Sequence, residues 1–382
     1  MNPRARLLTA LDHREPDRVP FDLGSTQVTG IHEVAYRALR AALGLPAVEP
    51  QLCDAIQRLA LPDDDLLHAL GVDTRGLFPL NSHNLPFDEE DGDDYWLYRD
   101  EWGIVHRRPK DDGLYYSIWQ VPLPREDVSV QEIERYPWPD MGATWRFAGL
   151  REQAERQRSA GYAVVLKDGF AGIFEFAQRM VGMENLLVLM ALRPEAAEAL
   201  FDQLLALKLA YWQTALAELG DLVDVVTYAD DYGSQVSQII SPRMFRRLLK
   251  PRVQQVFALQ AKLAPHAYRF FHSDGNVRPL IPDFIEIGVQ ILNPIHIRAA
   301  GMEPAALKHD FGRDLVFWGG GVDTQGVLPS GTPQEVKEDV RRNVAALAPG
   351  GGYVFNTIHN IQADVSAENV IAMVEALREV SP

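Results

Sequence analysis

Eight times along the chain, a short β-rich run leads into a polar or glycine-rich break and then a helical pattern. The runs are Arg18–Leu23, Val72–Phe78, Ala163–Lys167, Val223–Tyr228, Tyr268–Phe271, Val289–Leu292, Leu315–Trp318 and Tyr353–Phe355. Strands that alternate with helices form βαβ units, whose strands lie parallel. Eight such units predict an α/β fold of the (β/α)8 TIM-barrel type. An open doubly wound sheet would more often carry a phosphate-binding fingerprint after its first strand. Here Asp22-Leu23-Gly24-Ser25 follows instead. A length of 382 residues is ordinary for a barrel with insertions, so a single domain is expected over residues 1–382.

The helical segments carry their own signals. Thr332-Pro333-Gln334-Glu335 reads as a capping box with proline at the first helical position. Val336, Val340, Val344 and Leu347 then recur at helical spacing. Ser241-Pro242 opens a helix in the same way. Leu200, Leu204, Leu207 and Tyr211 form one apolar stripe that Gly220 is placed to end. One segment breaks the rhythm, an insertion over approximately 81–140, rich in Trp, Tyr, Asp and Pro. Tyr95–Tyr98 and Trp102–Val105 read as hairpin strands, with Tyr115–Val121 as a third. On a barrel this β-rich segment would stand over the mouth as a lid, or else serve only in packing or dimerisation.

In a barrel the chemistry sits just after the strands, on the C-terminal face. The positions there are Asp22, Asp168, Asp230 and Asp231 with Gln235, His272 and Asp274, Asn293 with His296, Asp323 after the glycine run 319–321, and Asn356 with His359. Histidines and carboxylates converging on one rim suit metal binding or acid/base work. His272-Ser273-Asp274 is the sharpest element, because a side-chain period of two turns both outer residues toward the barrel axis. The plain alternative is a hydrogen-bonded structural pair. Of Asp230 and Asp231, neighbours that point opposite ways, one faces the site and the other caps a helix. Gly319-Gly320-Gly321 allows close backbone approach to a ligand or a tight turn. No phosphate loop, zinc-protease helix or nucleophile elbow is present.

A net charge of −16 without a long basic run speaks against nucleic acid or an anionic membrane surface as partner. No apolar stretch reaches membrane-spanning length, and the N-terminus lacks a secretory apolar region. Cys53 is the single cysteine, which excludes an internal disulfide and a Cys-rich metal site. A cytoplasmic protein is expected.

Asp168-Gly169-Phe170-Ala171-Gly172, Ile240-Ser241-Pro242, Phe271-His272-Ser273-Asp274-Gly275 and the run Tyr353 to Asn360, with Ala367-Glu368-Asn369-Val370 behind it, resemble the uroporphyrinogen decarboxylase superfamily. That superfamily also holds cobalamin- and coenzyme-M-dependent methyltransferases, and the resemblance covers nearly the whole chain. It implies a (β/α)8 barrel. The true decarboxylases carry arginines after the first strand, an aspartate closing the second and a tyrosine after the GFAG element. Here Phe21-Asp22-Leu23-Gly24-Ser25-Thr26, Phe78-Pro79-Leu80 and Arg179 occupy those places. A tetrapyrrole with eight carboxylates would be left unpaired.

The methyltransferase branch binds zinc through a His-x-Cys element and a later cysteine. His272 matches the histidine, Asp274 the first cysteine, and His359 lies near the second. The resemblance therefore implies a His272, Asp274, His359 zinc set, and is strongest to O-demethylase methyltransferases, which pass a methyl group to a corrinoid (cobalamin) on a separate protein. It implies His272, His359 and Asp230 or Asp231 as catalytic groups, with Asp22, Asp168, Arg179, Gln235, Asn293 and Asn356 around a small methoxylated or methylated donor, and a homodimer. Aromatics of the insertion such as Trp102, Tyr115 or Trp119 would shield the site. The competing expectation is a metal-independent decarboxylase or lyase in which Arg179 holds a smaller carboxylate and His272 or His359 moves a proton. A third is a corrinoid- or tetrapyrrole-binding protein without turnover.

Overall fold

The structure, a computed structural model, describes residues 1–85, 89–111 and 113–380. Its centre is a seven-stranded parallel sheet. From one edge to the other the strands are Tyr353–Val354, Val316–Trp318, Ile291–Asn293, Tyr268–His272, Val225–Ala229, Ala163–Leu166 and Thr74–Leu77. Each falls inside or within a residue of a run expected from the sequence.

The expected first strand, 18–23, is reduced to one bridge, Phe21 beside Phe355. It nevertheless joins the two sheet edges. On one side the Asp22 amide donates to Phe355 O (3.0 Å) and the Phe355 amide to Pro20 O (2.8 Å); on the other the Asp73 amide donates to Phe21 O (2.8 Å). The ladder stops there because Pro20 has no N–H and Gly24, at φ 75°, turns the chain away. The sheet thus curls into a TIM-like barrel.

Strands of such a sheet are covered on both faces, which explains runs without alternation. All of Ala163–Leu166 and Val225–Ala229 is buried. Inside the ring, Val165, Val225, Phe270, Ile291, Val316 and Trp318 pack with Leu7 and Leu11. The latter two belong to the N-terminal helix Pro3–Leu11, so this helix packs against the barrel interior. The outer shell is helical. Thr332 and Glu335 make the expected capping box for Pro333–Leu347. Ser241 caps Pro242–Met244. Helix Pro194–Leu219 ends at Gly220 and buries Leu200, Leu204 and Tyr211. It also buries Lys208 completely, a cation on an apolar face.

Between Thr74–Leu77 and Ala163–Leu166 the chain forms a separate antiparallel sheet of Glu90–Asp91, Tyr95–Arg99, Val105–Pro109 and Ser117–Gln120. The second hairpin strand begins at Val105 rather than at the expected Trp102. Asp100 is the reason. Its Oδ1 accepts the amides of Trp102 and Ile104, both at 2.9 Å, and holds 100–104 as a turn. A three-stranded sheet of Ile31–His32, Leu59–Ala60 and Leu52–Asp54 was not foreseen. Among the described residues no helix is long and apolar enough to cross a membrane.

Candidate active site

The strand Tyr268–His272 ends with its last side chain buried at the C-terminal rim. Parallel register places His272 beside Asn293. The Asn293 amide is fixed by its own bond, Nδ2 donating to Trp318 O at 2.9 Å, so Oδ1 is the atom turned to His272. It lies 2.6 Å from His272 Nδ1. An amide oxygen only accepts, so Nδ1 donates to it and Nε2 is the atom left facing the rim. Across the rim His359 stands with its ring centroid 5.7 Å from that of His272. Asp274 Oδ2 lies 3.7 Å from Nε2 of each histidine.

One ligand atom from each of His272, Asp274 and His359 lies within 4.8 Å of the others. Spacings of 3.7 Å are too long for hydrogen bonds. Two ligands about 2.0–2.1 Å from zinc at a tetrahedral angle stand roughly 3.4 Å apart, so this donor set fits the ion. The supporting bonds fit as well, since metal-binding histidines usually spend their second nitrogen on an oxygen. Asp274 is held by His296, whose Nδ1 lies 3.1 Å from Oδ1, and His296 Nε2 is met by Gln235 at 3.2 Å. The Asp274 amide donates to Asp231 Oδ1 (2.8 Å). Burial raises the Asp274 carboxyl, but the His296 bond and the charges of His359 and His272 outweigh it and hold it low. Burial, reinforced by Glu175 and Asp274, pushes Asp231 up. Burial lowers His359, against the pull of Asp274.

His272, His359 and Asp231 line a partly open cavity of 180 Å³. Its other walls bring Gln27, Gln57, Asn81, Ser82 and His83 from the chain before residue 84, and Lys167, Glu175 and Arg179 from the neighbouring strand and helix. Drug-sized pockets run to about 300–1,000 Å³, so this cavity suits a smaller guest.

The remaining expected residues take other places. Asp230 is turned away from the cavity. Its carboxylate accepts the amides of Phe174 (3.1 Å) and Glu175 (2.7 Å) and the hydroxyl of Tyr232 (2.6 Å). It therefore caps helix Ile173–Val181, the chain coming so close at Gly172 that a Cβ there would lie 2.1 Å from that of Asp230. Burial raises its carboxyl to about 6. Asp168 is also turned away, paired at 2.5 Å with buried Lys208 and accepting the Gly169 amide. Asp22 stays inside the ring, taking Trp318 Nε1 at 3.0 Å and Thr74 Oγ1 at 2.5 Å. Asn356 donates to Asp22 O. None of Asp168, Asp22 and Asn356 lines the cavity; each bonds to other parts of the barrel. Gln235 and Asn293 stand one layer behind the ligand atoms. The glycine run 319–321 approaches the barrel itself, since a Cβ on Gly321 would meet the Phe355 ring at 2.3 Å. Trp102 is buried, 4.9 Å from the Phe170 ring, while Tyr115 and Trp119 are exposed.

Sequence reasoning missed Lys167, Glu175, His83 and Asp54. His83 Nδ1 meets buried Asp54 at 2.7 Å. Asp54 comes from the unforeseen three-stranded sheet. Lys167 closes the expected run 163–167, and nothing local in the sequence marks it as buried.

The uroporphyrinogen decarboxylase (URO-D) family matches residues 120–380. The chain belongs to this family. Two curated relatives, the uroporphyrinogen decarboxylases of Legionella pneumophila strains Corby and Paris, are each 41% identical over 68 residues. That stretch is 17% of this chain and 19% of each relative's length. A solved methyltransferase from Methanosarcina mazei superposes over 99% of both chains with a TM-score of 0.66 at 20% identity, a likeness of fold.

Proposed function

We propose that this family member is a zinc-dependent methyltransferase that moves a methyl group from a small methoxylated or methylated donor to a corrinoid, free or on a partner protein. The observation that carries the reading is the gathering of His272, Asp274 and His359, with Asp274 3.7 Å from each histidine and all three ligand atoms within 4.8 Å, beside a cavity of 180 Å³. Zinc held there supplies Lewis acidity toward the donor's heteroatom. The chain's own residues do the rest. Asn293 fixes the tautomer and ring plane of His272. His296 and Gln235 aim the Asp274 carboxylate, and Asp231 secures its backbone. Of the two adjacent aspartates, Asp231 faces the donor and Asp230 keeps helix Ile173–Val181 in place. The insertion serves as a lid, with Trp102 packed on the cavity residue Phe170 and water excluded from the transfer.

A metal-independent decarboxylase acting on a smaller acid is the second reading, favoured by the cations Lys167 and Arg179 in the cavity wall. Elemental analysis separates the two. For the first, zinc-loaded protein given methoxylated donors and cob(I)alamin yields the methylcobalamin absorbance spectrum. A zinc-free protein that is fully active, or no corrinoid methylation with any donor, overturns it.

A further inference from the structure

Lys167 follows directly on strand Ala163–Leu166. Its backbone is tied on both sides, the amide donating to Leu77 O at 3.1 Å and the carbonyl accepting the Tyr211 hydroxyl at 2.5 Å. The residue is 3% exposed, and its side chain lines the cavity. Among the described residues, nothing forms a hydrogen bond or an ion pair with its ammonium. The nearby carboxylates are already engaged: Asp168 by Lys208, Asp54 by His83, and Glu175 by Arg179. An ammonium has three protons to donate and no acceptor capacity. The Nζ atom is therefore turned to the space of the cavity, where its three protons are free to meet a guest. Arg179, His272 and His359 line the same cavity, and Asp274 stands 3.7 Å from both histidines. A guest that reaches between them presents an anion at one end and a metal-seeking heteroatom at the other.

We infer that Lys167 is the specificity-determining residue of this cavity, receiving the carboxylate of a small acid that carries its methyl group on a heteroatom, with Arg179 beside it. The inference rests on the methyl-transfer reading for the methylated end of the guest, while the anion subsite stands on Lys167 itself. Burial lowers the Lys167 ammonium from its ordinary value, with Asp54 and Asp168 pulling the other way. A bound carboxylate therefore meets a donor that gains from being paired. Neutral methyl ethers bring no charge to meet it.

The test uses calorimetric binding to the purified full chain, with and without chelator, of two matched pairs: methoxyacetate with methoxyacetamide, and 4-methoxybenzoate with 4-methoxybenzamide. In at least one pair the acid binds about tenfold or more tightly than its amide, the scale of a charge-assisted hydrogen bond. Lys167→Gln abolishes that preference and Lys167→Arg keeps part of it. Because the wild-type ratio is itself a result, a variant that fails to fold does not protect the idea. Equal binding of acid and amide, no binding by any of the four, or a preference that survives Lys167→Gln overturns it. An acid preference that persists in protein unable to methylate a corrinoid supports the subsite and removes the methyl-transfer reading alone.

Discussion

Histidines of two histidine–aspartate groups line one cavity, and the two groups are built differently. His83 and Asp54 form a closed pair, with 2.7 Å between nitrogen and carboxylate oxygen. Asp274 stands 3.7 Å from the facing nitrogens of both His272 and His359. In the closed pair the facing atoms, His83 Nδ1 and Asp54 Oδ2, are spent on each other and hold the 52–54 strand to the loop at residue 83. The open group has spent only its outer atoms, on Asn293 and His296, and leaves the inner ones aimed at a common point. The same residue types therefore make a structural clamp or a ligand set according to which atom the neighbours occupy.

Breaking the open group has the largest expected effect. His272→Ala or His359→Ala lowers corrinoid methylation and zinc content by more than the roughly 10–100-fold typical of a change one layer behind a metal. Metal analysis with a methylcobalamin assay measures both, and full zinc occupancy in both variants would end the distinction drawn above. Asn293→Ala releases the His272 tautomer and reduces zinc affinity by about 10–100-fold, read by chelator competition. Unchanged affinity would mean that Asn293 holds the strand and not the ligand.

Breaking the closed pair acts on stability. His83→Ala leaves the buried Asp54 carboxylate without its histidine and costs about 1–3 kcal/mol in denaturant melts, with zinc content intact. Lost zinc with unchanged stability would exchange the roles of the two groups. A smaller effect follows from pH. Burial raises Asp54, but the charge and hydrogen bond of His83 outweigh it and hold the carboxyl below its ordinary range. The unfolded chain then binds more protons, so this contribution is fully present above about pH 4 and is lost as pH falls toward the folded value. His83→Ala flattens stability across that acid window, and an unaltered acid profile would count against the pairing.

Much of this architecture was legible beforehand. The buried parallel strands announce themselves as short apolar runs before polar breaks, and the capping box at Thr332 is local chemistry. Strand 18–23 was too generous because Pro20 and Gly24 cut its ladder. The sheet of Ile31–His32, Leu52–Asp54 and Leu59–Ala60 was invisible, since strands of two or three residues have no period to read. In the site, alternation correctly implied that only one of Asp230 and Asp231 faces the cavity, but which one depends on where helix Ile173–Val181 begins. Lys167 escaped because a lysine at a strand end reads as solvated, and its burial is set by His83, Glu175 and Arg179 arriving from elsewhere. Asp168 and Lys208, 40 positions apart, meet only through tertiary packing.

The single bridge at Phe21 carries a consequence for the chain as it is made. Asp22 and Asn356, which meet beside that bridge, are 334 positions apart. Until the ribosome has delivered the strand Tyr353–Val354, the ring is an open sheet with two bare edges, each able to pair with another nascent chain. Closure of this barrel therefore waits for the strand farthest along the ring, and a chaperone that shields strand edges would act until that strand has paired.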